Sequence, residues 1–417
     1  MPQPIKAYLG QVQLFDAGQS SAGYQRPADW MPLPAAQAES VKILHAVSDQ
    51  YENFAALRMN TNTGTYQVDW GDGVVETFNS GVIASHNYDF NNTELYGTLT
   101  TRGYKQAIIA ITPTTGVFTI CNLNVKIPSP TGLQQYNTGF LDLNINLPSL
   151  GTGTRLIIAR GLGTGLVRHA SLERVNITSW GANTSTSGLF FGCSRLQSLN
   201  EMEWDMTNIS DVSNMFRSCA AISKLNCSTW NTDGIFNWAH AFLACQGLVS
   251  FVAPPSGKIN STSLLNLFNS CYSLEELDLS GWNVSSVTDM NSIFKSCFSL
   301  RYLNITGWNT SAVTNATYMF AACPALERVP TIDLSAVNTI TDQAFCGASS
   351  SLTRMQATGI NVSVNMANCM FGATALNEIY TNLSANGSGK TITVTGNYGT
   401  SSDDPSIATA KGWTVVG

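Results

Sequence analysis

The sequence predicts a mainly β protein with short helices: an N-terminal β-sandwich followed by a solenoid of 26-residue coils. Three observations predict it. Cysteines recur 26 residues apart from Cys193 to Cys323. Within each interval the apolar spacing switches from threes and fours to every second residue. Ahead of the array, residues 40–115 break into five short apolar runs separated by Gly, Asn and Asp, the texture of a sandwich.

Composition narrows the function classes. The chain has 417 residues, 44% apolar and only 12% charged. That is too apolar for disorder and too poor in charge for a long solvent-exposed helical protein. Lys and Arg number 21 against 27 Asp and Glu, a net −6 with no basic block, so no nucleic-acid partner is expected. No apolar run reaches about 18 residues, so no membrane partner is expected either. The start, MPQPIKAYLGQVQLFDAG, lacks a charged-then-apolar pattern. The expectation is a chain without a secretory leader, its thiols reduced at synthesis.

Taken in order, residues 1–39 carry Pro at 2, 4, 27, 32 and 34 and read as an extended arm. Within it, Trp30 and Met31 are candidates to anchor the arm on a neighbouring protein. Residues 40–115 hold KILHAVSD, NFAALRMNT, TYQVDWGDG, VIASHNYDF and GYKQAIIAITP. Asp69 and Asp72 in this segment are read as turn residues that accept from backbone N–H groups, with Gly71 and Gly73 at positive φ, in preference to calcium ligands or catalytic carboxylates. His86 reads as a packing residue beside Tyr88. Residues 116–165 are transitional, and the alternation of Leu141, Leu143, Ile145 and Leu147 suggests a strand at the base of the solenoid. Cys121 reads as a core residue.

Residues 166–390 form the array. Three residues before the spaced cysteines stand Phe190, Phe216, Phe242, Phe268, Phe294 and Phe320. Leu or Ile follows three after, and Trp eleven after at Trp204, Trp230, Trp282 and Trp308, failing at Ser256 and Leu334. A period of 26 falls within the leucine-rich-repeat range. Val287, Met290, Ile293, Phe294 and Cys297 space like the face of a short helix, and Leu303 with Ile305 like a strand. Each coil is then a helical turn plus a strand, with Phe, Cys and Leu in ladders; the thiols read as small buried groups and not as metal ligands. About nine coils at about 4.8 Å each would span roughly 40–45 Å. Residues 391–417 predict a strand, a short helix and a last strand as a cap.

MFRSCAAISKLNCSTWNT and IFKSCFSLRYLNITGWNTSAVTNATYMFAACPAL resemble the BspA-like leucine-rich surface repeats, over about residues 165–417. VDWGDG with His86 and Tyr88 resembles a PKD-like domain of Ig type, and the front of the chain resembles tailed-bacteriophage virion proteins. The resemblance implies recognition or display: a non-enzymatic virion structural protein, tail or fibre adhesin or capsid decoration, located in the virion after assembly in the host cytoplasm. Its implied partners are other virion proteins through the N-terminal arm and a host-surface protein or glycan, with several copies per particle. The alternatives are a bacterial cell-surface adhesin and a tailspike-type glycan depolymerase. No catalytic residue, metal or cofactor is expected. The carboxylate pairs Glu201 with Glu203 and Glu276 with Asp278 are the ones that could share a strand face, as a depolymerase would need. The candidate binding surface is the outward stripe of the strands: Lys224, Glu276, Asp278, Tyr302, Asn304 and Arg328.

Overall fold

The structure is a computed structural model and describes residues 24–49, 53–128, 134–136, 139–153, 155–159, 171–254, 259–338, 345 and 351–417. The chain is mainly β with few helices, and from residue 174 onward it winds as a β-solenoid of about nine turns. His169, Cys346, Pro255 and Ser256 lie outside the described residues.

Six strands precede the transition, β1 (Ser40–Val47), β2 (Phe54–Thr61), β3 (Thr65–Asp69), β4 (Val75–Asn79), β5 (Ile83–Asn87) and β6 (Lys105–Pro113), and β7 (Phe118–Asn122) opens it. Each of the five apolar runs read from the sequence contributes one; β4 and β7 were not among them. A short antiparallel pair follows, β8 (Lys126–Pro128) with β9 (Gln134–Tyr136), then β10 (Phe140–Asn146) and β11 (Leu156–Ile157). The solenoid opens with β12 (Arg174–Ser179) and β13 (Ser198–Leu199).

Apart from the β8–β9 pair, these strands make two sheets with one core between them. The larger runs β13-β12-β10-β1-β6-β3-β4 and the smaller β11-β7-β2-β5. Tyr66, Val68 and Ile109 of the first and Leu57, Met59 and Phe118 of the second are fully buried in that core. β10, the strand expected at the base of the solenoid, sits mid-sheet. It pairs antiparallel with β1 and parallel with β12, with Leu143 beside Val175 and Ile145 beside Ile177. One sheet thus passes without a break from the N-terminal region into the first coils.

The outer face of β10 is covered by residues 24–39. Trp30 and Met31, the candidate anchors of the arm, pack on their own chain. Trp30 is buried against Leu44 and Leu141, and its Nε1 donates to Tyr104 Oη at 2.7 Å. The Met31 amide donates to Gln106 Oε1. The physical reason is that β1 and β10 present apolar side chains on both faces, and water is excluded from the second only if this segment covers it. Residues 1–23 of the expected arm lie outside the described residues.

The coils continue with β14 (Lys224–Asn226), β15 (Ser250–Val252), β16 (Glu276–Asp278), β17 (Tyr302–Asn304), β18 (Arg328–Asp333) and β19 (Arg354–Thr358). The pairs β14–β15, β16–β17 and β18–β19 are parallel and shifted by one coil, for example Leu277 beside Leu303.

The expected helical turn is not a helix. Two residues in each of five successive coils have positive φ: Asn214 and Ser218, His240 and Ala244, Asn266 and Ser270, Ser292 and Ser296, Tyr318 and Ala322. An α-helix excludes that conformation for L-residues. Alternate amides close tight turns, as Cys219 N to Phe216 O at 3.0 Å. The others point along the solenoid axis to the next coil: Phe216 N to Ala241 O at 2.8 Å, Ser218 N to Leu243 O at 2.8 Å. Three-and-four spacing arises here because consecutive turns advance the side chains much as a helical turn would, while half the donors serve the neighbouring coil.

Inside, the ladders form as read. Phe190, Phe216, Phe242, Phe268, Phe294 and Phe320 stack with centroids 5.3–6.3 Å apart. The six spaced cysteines are buried and free. They are more than fillers. From the second onward, each thiol donates to the phenylalanine carbonyl of the preceding coil: Cys219 to Phe190 at 3.0 Å, Cys245 to Phe216 at 3.1 Å, Cys271 to Phe242, Cys297 to Phe268 and Cys323 to Phe294. Cys369, further on, is disulfide-bonded.

After β20 (Val364–Asn365) a helix not foreseen from the sequence, α1 (Ala373–Asn382), turns Leu376, Ile379 and Tyr380 inward. The chain ends as expected with a strand, a short helix and a strand: β21 (Thr391–Thr393), α2 (Ser406–Thr409) and β22 (Thr414–Val416), the strands parallel. Among the described residues no helix is long and apolar enough to cross a membrane.

Candidate functional site

The strand face of the solenoid is set by alternation. In the strands β14 to β17 the middle side chain is buried and its neighbours point out. Lys224, Glu276, Asp278, Tyr302 and Arg328 are all exposed, and Asn304 is half-buried. Register brings Glu276 beside Tyr302 and Asp278 beside Asn304, whose Nδ2 donates to Asp278 Oδ2 at 3.1 Å. Asp278 Oδ1 also accepts from the Ser280 amide at 2.9 Å, and that bond holds its carboxyl below the usual range.

The structure adds the residue just before each strand, which the alternation had not singled out. Glu275, Arg301 and Glu327 are exposed there, four after the cysteine; their shared position in the repeat was the available signal. With them the face is acidic on one side and mostly basic on the other. A depression of about 430 Å³ is lined by Glu275, Glu276 and Asp278, and one of about 300 Å³ by Arg301, Arg328 and Arg354 together with Glu327. Tyr302 borders both. Lys224 lies two coils away from this division and lines neither.

The two carboxylate pairs fare differently. Glu276 and Asp278 share the exposed face of β16 as expected. Glu201 and Glu203 lie instead in a single 3-10 turn, because two bonds take up their carboxylates: Asn226 N donates to Glu201 Oε1 at 2.9 Å and Asn200 Nδ2 to Glu203 Oε2 at 3.0 Å. Burial pushes the Glu201 carboxyl up.

In the N-terminal domain VDWGDG is a tight turn. Gly71 and Gly73 have φ of 76° and 91°, and Asp69 and Asp72 accept from the amides of Gly71 and Val74. A Cβ on Gly71 would stand 2.4 Å from the Ile108 carbonyl oxygen, so only glycine lets the turn lie on β6. Asp72 Oδ2 meets His86 Nε2 at 2.8 Å, and His86 stacks on Trp70 and meets Tyr88 edge-on. Behind them His45, not singled out from the sequence, stacks on Tyr88 with neither ring nitrogen hydrogen-bonded among the described residues. Burial first, and His86 second, hold its pKa down to about 3, so it is neutral. Among the described residues no group of three or more His, Cys, Asp or Glu gathers at metal-binding distance.

Where the two regions meet, Asp142 is fully buried and accepts from Arg26 Nε at 2.9 Å and from Arg174 at 3.0 Å. Arg102 pairs with buried Glu173. Arg26 is in the covering segment and Arg174 in the first coil, so one carboxylate clasps three parts of the chain.

A search of curated proteins finds no match to the chain. Residues 168–252 and 259–358 match the family model described as "Mycoplasma protein of unknown function, DUF285". The gap between the matched stretches contains the Pro254 coil, where the repeat loses its Trp. The similarity and the stacked coils together fit a repeat-based surface protein.

Proposed function

We propose that this is a non-enzymatic virion structural protein of a bacteriophage, displaying a BspA-like leucine-rich solenoid for attachment and anchored through its N-terminal region, whose two-sheet domain is of PKD-like, Ig type. The observation that carries the reading is the unbroken sheet from the N-terminal domain into the coils. That sheet reaches from β4 to β13 in the first coils, and on this reading the continuity supports a stalk that carries the polar strand face away from the particle. Repeat arrays of this kind present extended surfaces for binding. The resemblance of the N-terminal region to virion proteins supports the particle assignment, and no reaction is part of it. Other virion proteins and a host-surface protein or glycan are the partners of this reading.

One observation favours a second reading, a bacterial surface adhesin: the family similar to the coils is described from a bacterium. Immunogold electron microscopy with antibody to the full chain tests both. Label on purified phage particles supports the first, and label confined to the surface of cells free of phage supports the second. Label on neither would remove the display role.

A further inference from the structure

We propose that the strand face around Tyr302 binds an acidic oligosaccharide. The proposal rests on the display reading and names the ligand class of that same face. Tyr302 is 56% exposed between an acidic depression and one in which three arginines outnumber the single Glu327. On one side Arg354 is engaged by Glu378 through two bonds of 3.0 and 3.1 Å. Arg301 and Arg328, on consecutive coils, are exposed, and their side chains make no hydrogen bond to any described residue. Their planar donor forks match a carboxylate. On the other side Glu275, Glu276 and Asp278 offer acceptors only, suited to hydroxyl donors. Between them an aromatic ring offers an apolar face with a polar edge.

One chemistry uses all three features: a sugar ring lying on Tyr302, hydroxyls donating to the acidic side and a carboxylate held by Arg301 and Arg328. A neutral sugar leaves two guanidinium groups unused. An acidic peptide of this length carries charge onto Glu275 and Glu276 and is repelled. The ligand therefore has sparse charge and many hydroxyls, as an oligouronate has.

Calorimetric titration of the full chain with hexameric oligogalacturonate tests the proposal, alongside a neutral hexasaccharide and a polyglutamate peptide. The uronate is expected to bind, with the neutral sugar weaker by about tenfold or more, a difference of about 1.4 kcal/mol. Arg301→Ala with Arg328→Ala, and separately Tyr302→Ala, are each expected to weaken uronate binding by about tenfold or more. Arg195→Ala, also exposed but in another coil, controls for the lost charge. All these side chains are at the surface, and unchanged thermal melts would show that the fold persists. Absence of uronate binding overturns the proposal, as do full affinity in the double variant and polyglutamate binding as tight as the uronate. Because the titration uses purified protein, its failure leaves the display reading to be judged by the immunolabelling alone, and the converse holds.

Discussion

The N-terminal domain and the solenoid bury their chains by opposite means. In the domain every close contact occurs once. Gly139 is an example: a Cβ there would stand 2.5 Å from the ring of His45 and 2.6 Å from the Ala46 carbonyl oxygen, at the point where the β1–β10 register shifts. In the solenoid one contact is made repeatedly, with phenylalanine on phenylalanine and thiol on carbonyl at each step. A unique contact rests on single residues and leaves no pattern. A repeated contact tolerates a local loss, because the neighbours on both sides still fix the position.

The Pro254 coil shows that tolerance. Where the repeat loses its Trp, Trp238 takes the place held by Val212, Leu264, Met290 and Ala316 in neighbouring coils, and it packs on Trp282 with ring centroids 5.4 Å apart. Volume is restored but polar pairing is not. Trp230 Nε1 donates to Glu201 O and Trp308 Nε1 to Leu279 O, both at 2.9 Å, while Nε1 of Trp238 and of Trp282 have no hydrogen-bond partner among the described residues.

The largest expected effect breaks the ladder. Phe294→Ala removes a buried rung between Phe268 and Phe320 and is expected to cost about 3–5 kcal/mol in denaturant unfolding; a loss below about 1 would show that the rungs do not carry the coil. Next comes the junction between the two regions. Asp142→Ala leaves Arg26 and Arg174 without their carboxylate and is expected to cost about 2–3 kcal/mol, discounted because both arginines are partly exposed. An unchanged unfolding midpoint would mean that the regions are coupled by the sheet alone.

His45 and the solenoid thiols should also act at opposite ends of the pH scale. His45 has a folded pKa of about 3 against an ordinary 6.5, so its neutral form stabilises the domain above about 6.5. That stability drains away as pH falls from there toward 3. The solenoid thiols are raised: burial pushes Cys245 and Cys323 up to about 12 from 9.0. Their contribution is full below pH 9 and lost as pH climbs toward 12. Thermal melts across both ranges, repeated on His45→Phe, should show the acid limb flatten in the variant and the alkaline limb stay. An acid limb that persists unchanged would assign it to other groups.

The smallest effect is a difference between two like substitutions. Trp230→Phe and Trp282→Phe remove similar buried volume, but only the first discards a hydrogen bond. Trp230→Phe is expected to cost about 1 kcal/mol more. Equal losses would mean that the indole bond contributes nothing net.

Much of the fold was legible because the repeat multiplies a weak signal. One Phe three residues before one Cys says little; six such pairs at a fixed interval place a column in the core. The strand face was legible for the same reason, since alternation about Leu277 and Leu303 fixes which neighbours point out. What escaped was of two kinds. The turn ladder was read as helix because side-chain spacing is nearly the same in both, and only backbone φ separates them. The junction escaped because Arg26, Asp142 and Arg174 are distant in sequence and each occurs once.

By itself the sequence determined the period, the buried columns and the polar stripe, because these follow from the spacing of apolar side chains along one chain. The tertiary structure alone decided that the N-terminal sheet continues into the coils, that Trp30 folds back on its own domain, and that three arginines gather on one side of Tyr302 and three carboxylates on the other. Those outcomes depend on which segments meet across the stack, and hydrogen-bond register between strands is a property of pairs that no single stretch of chain encodes.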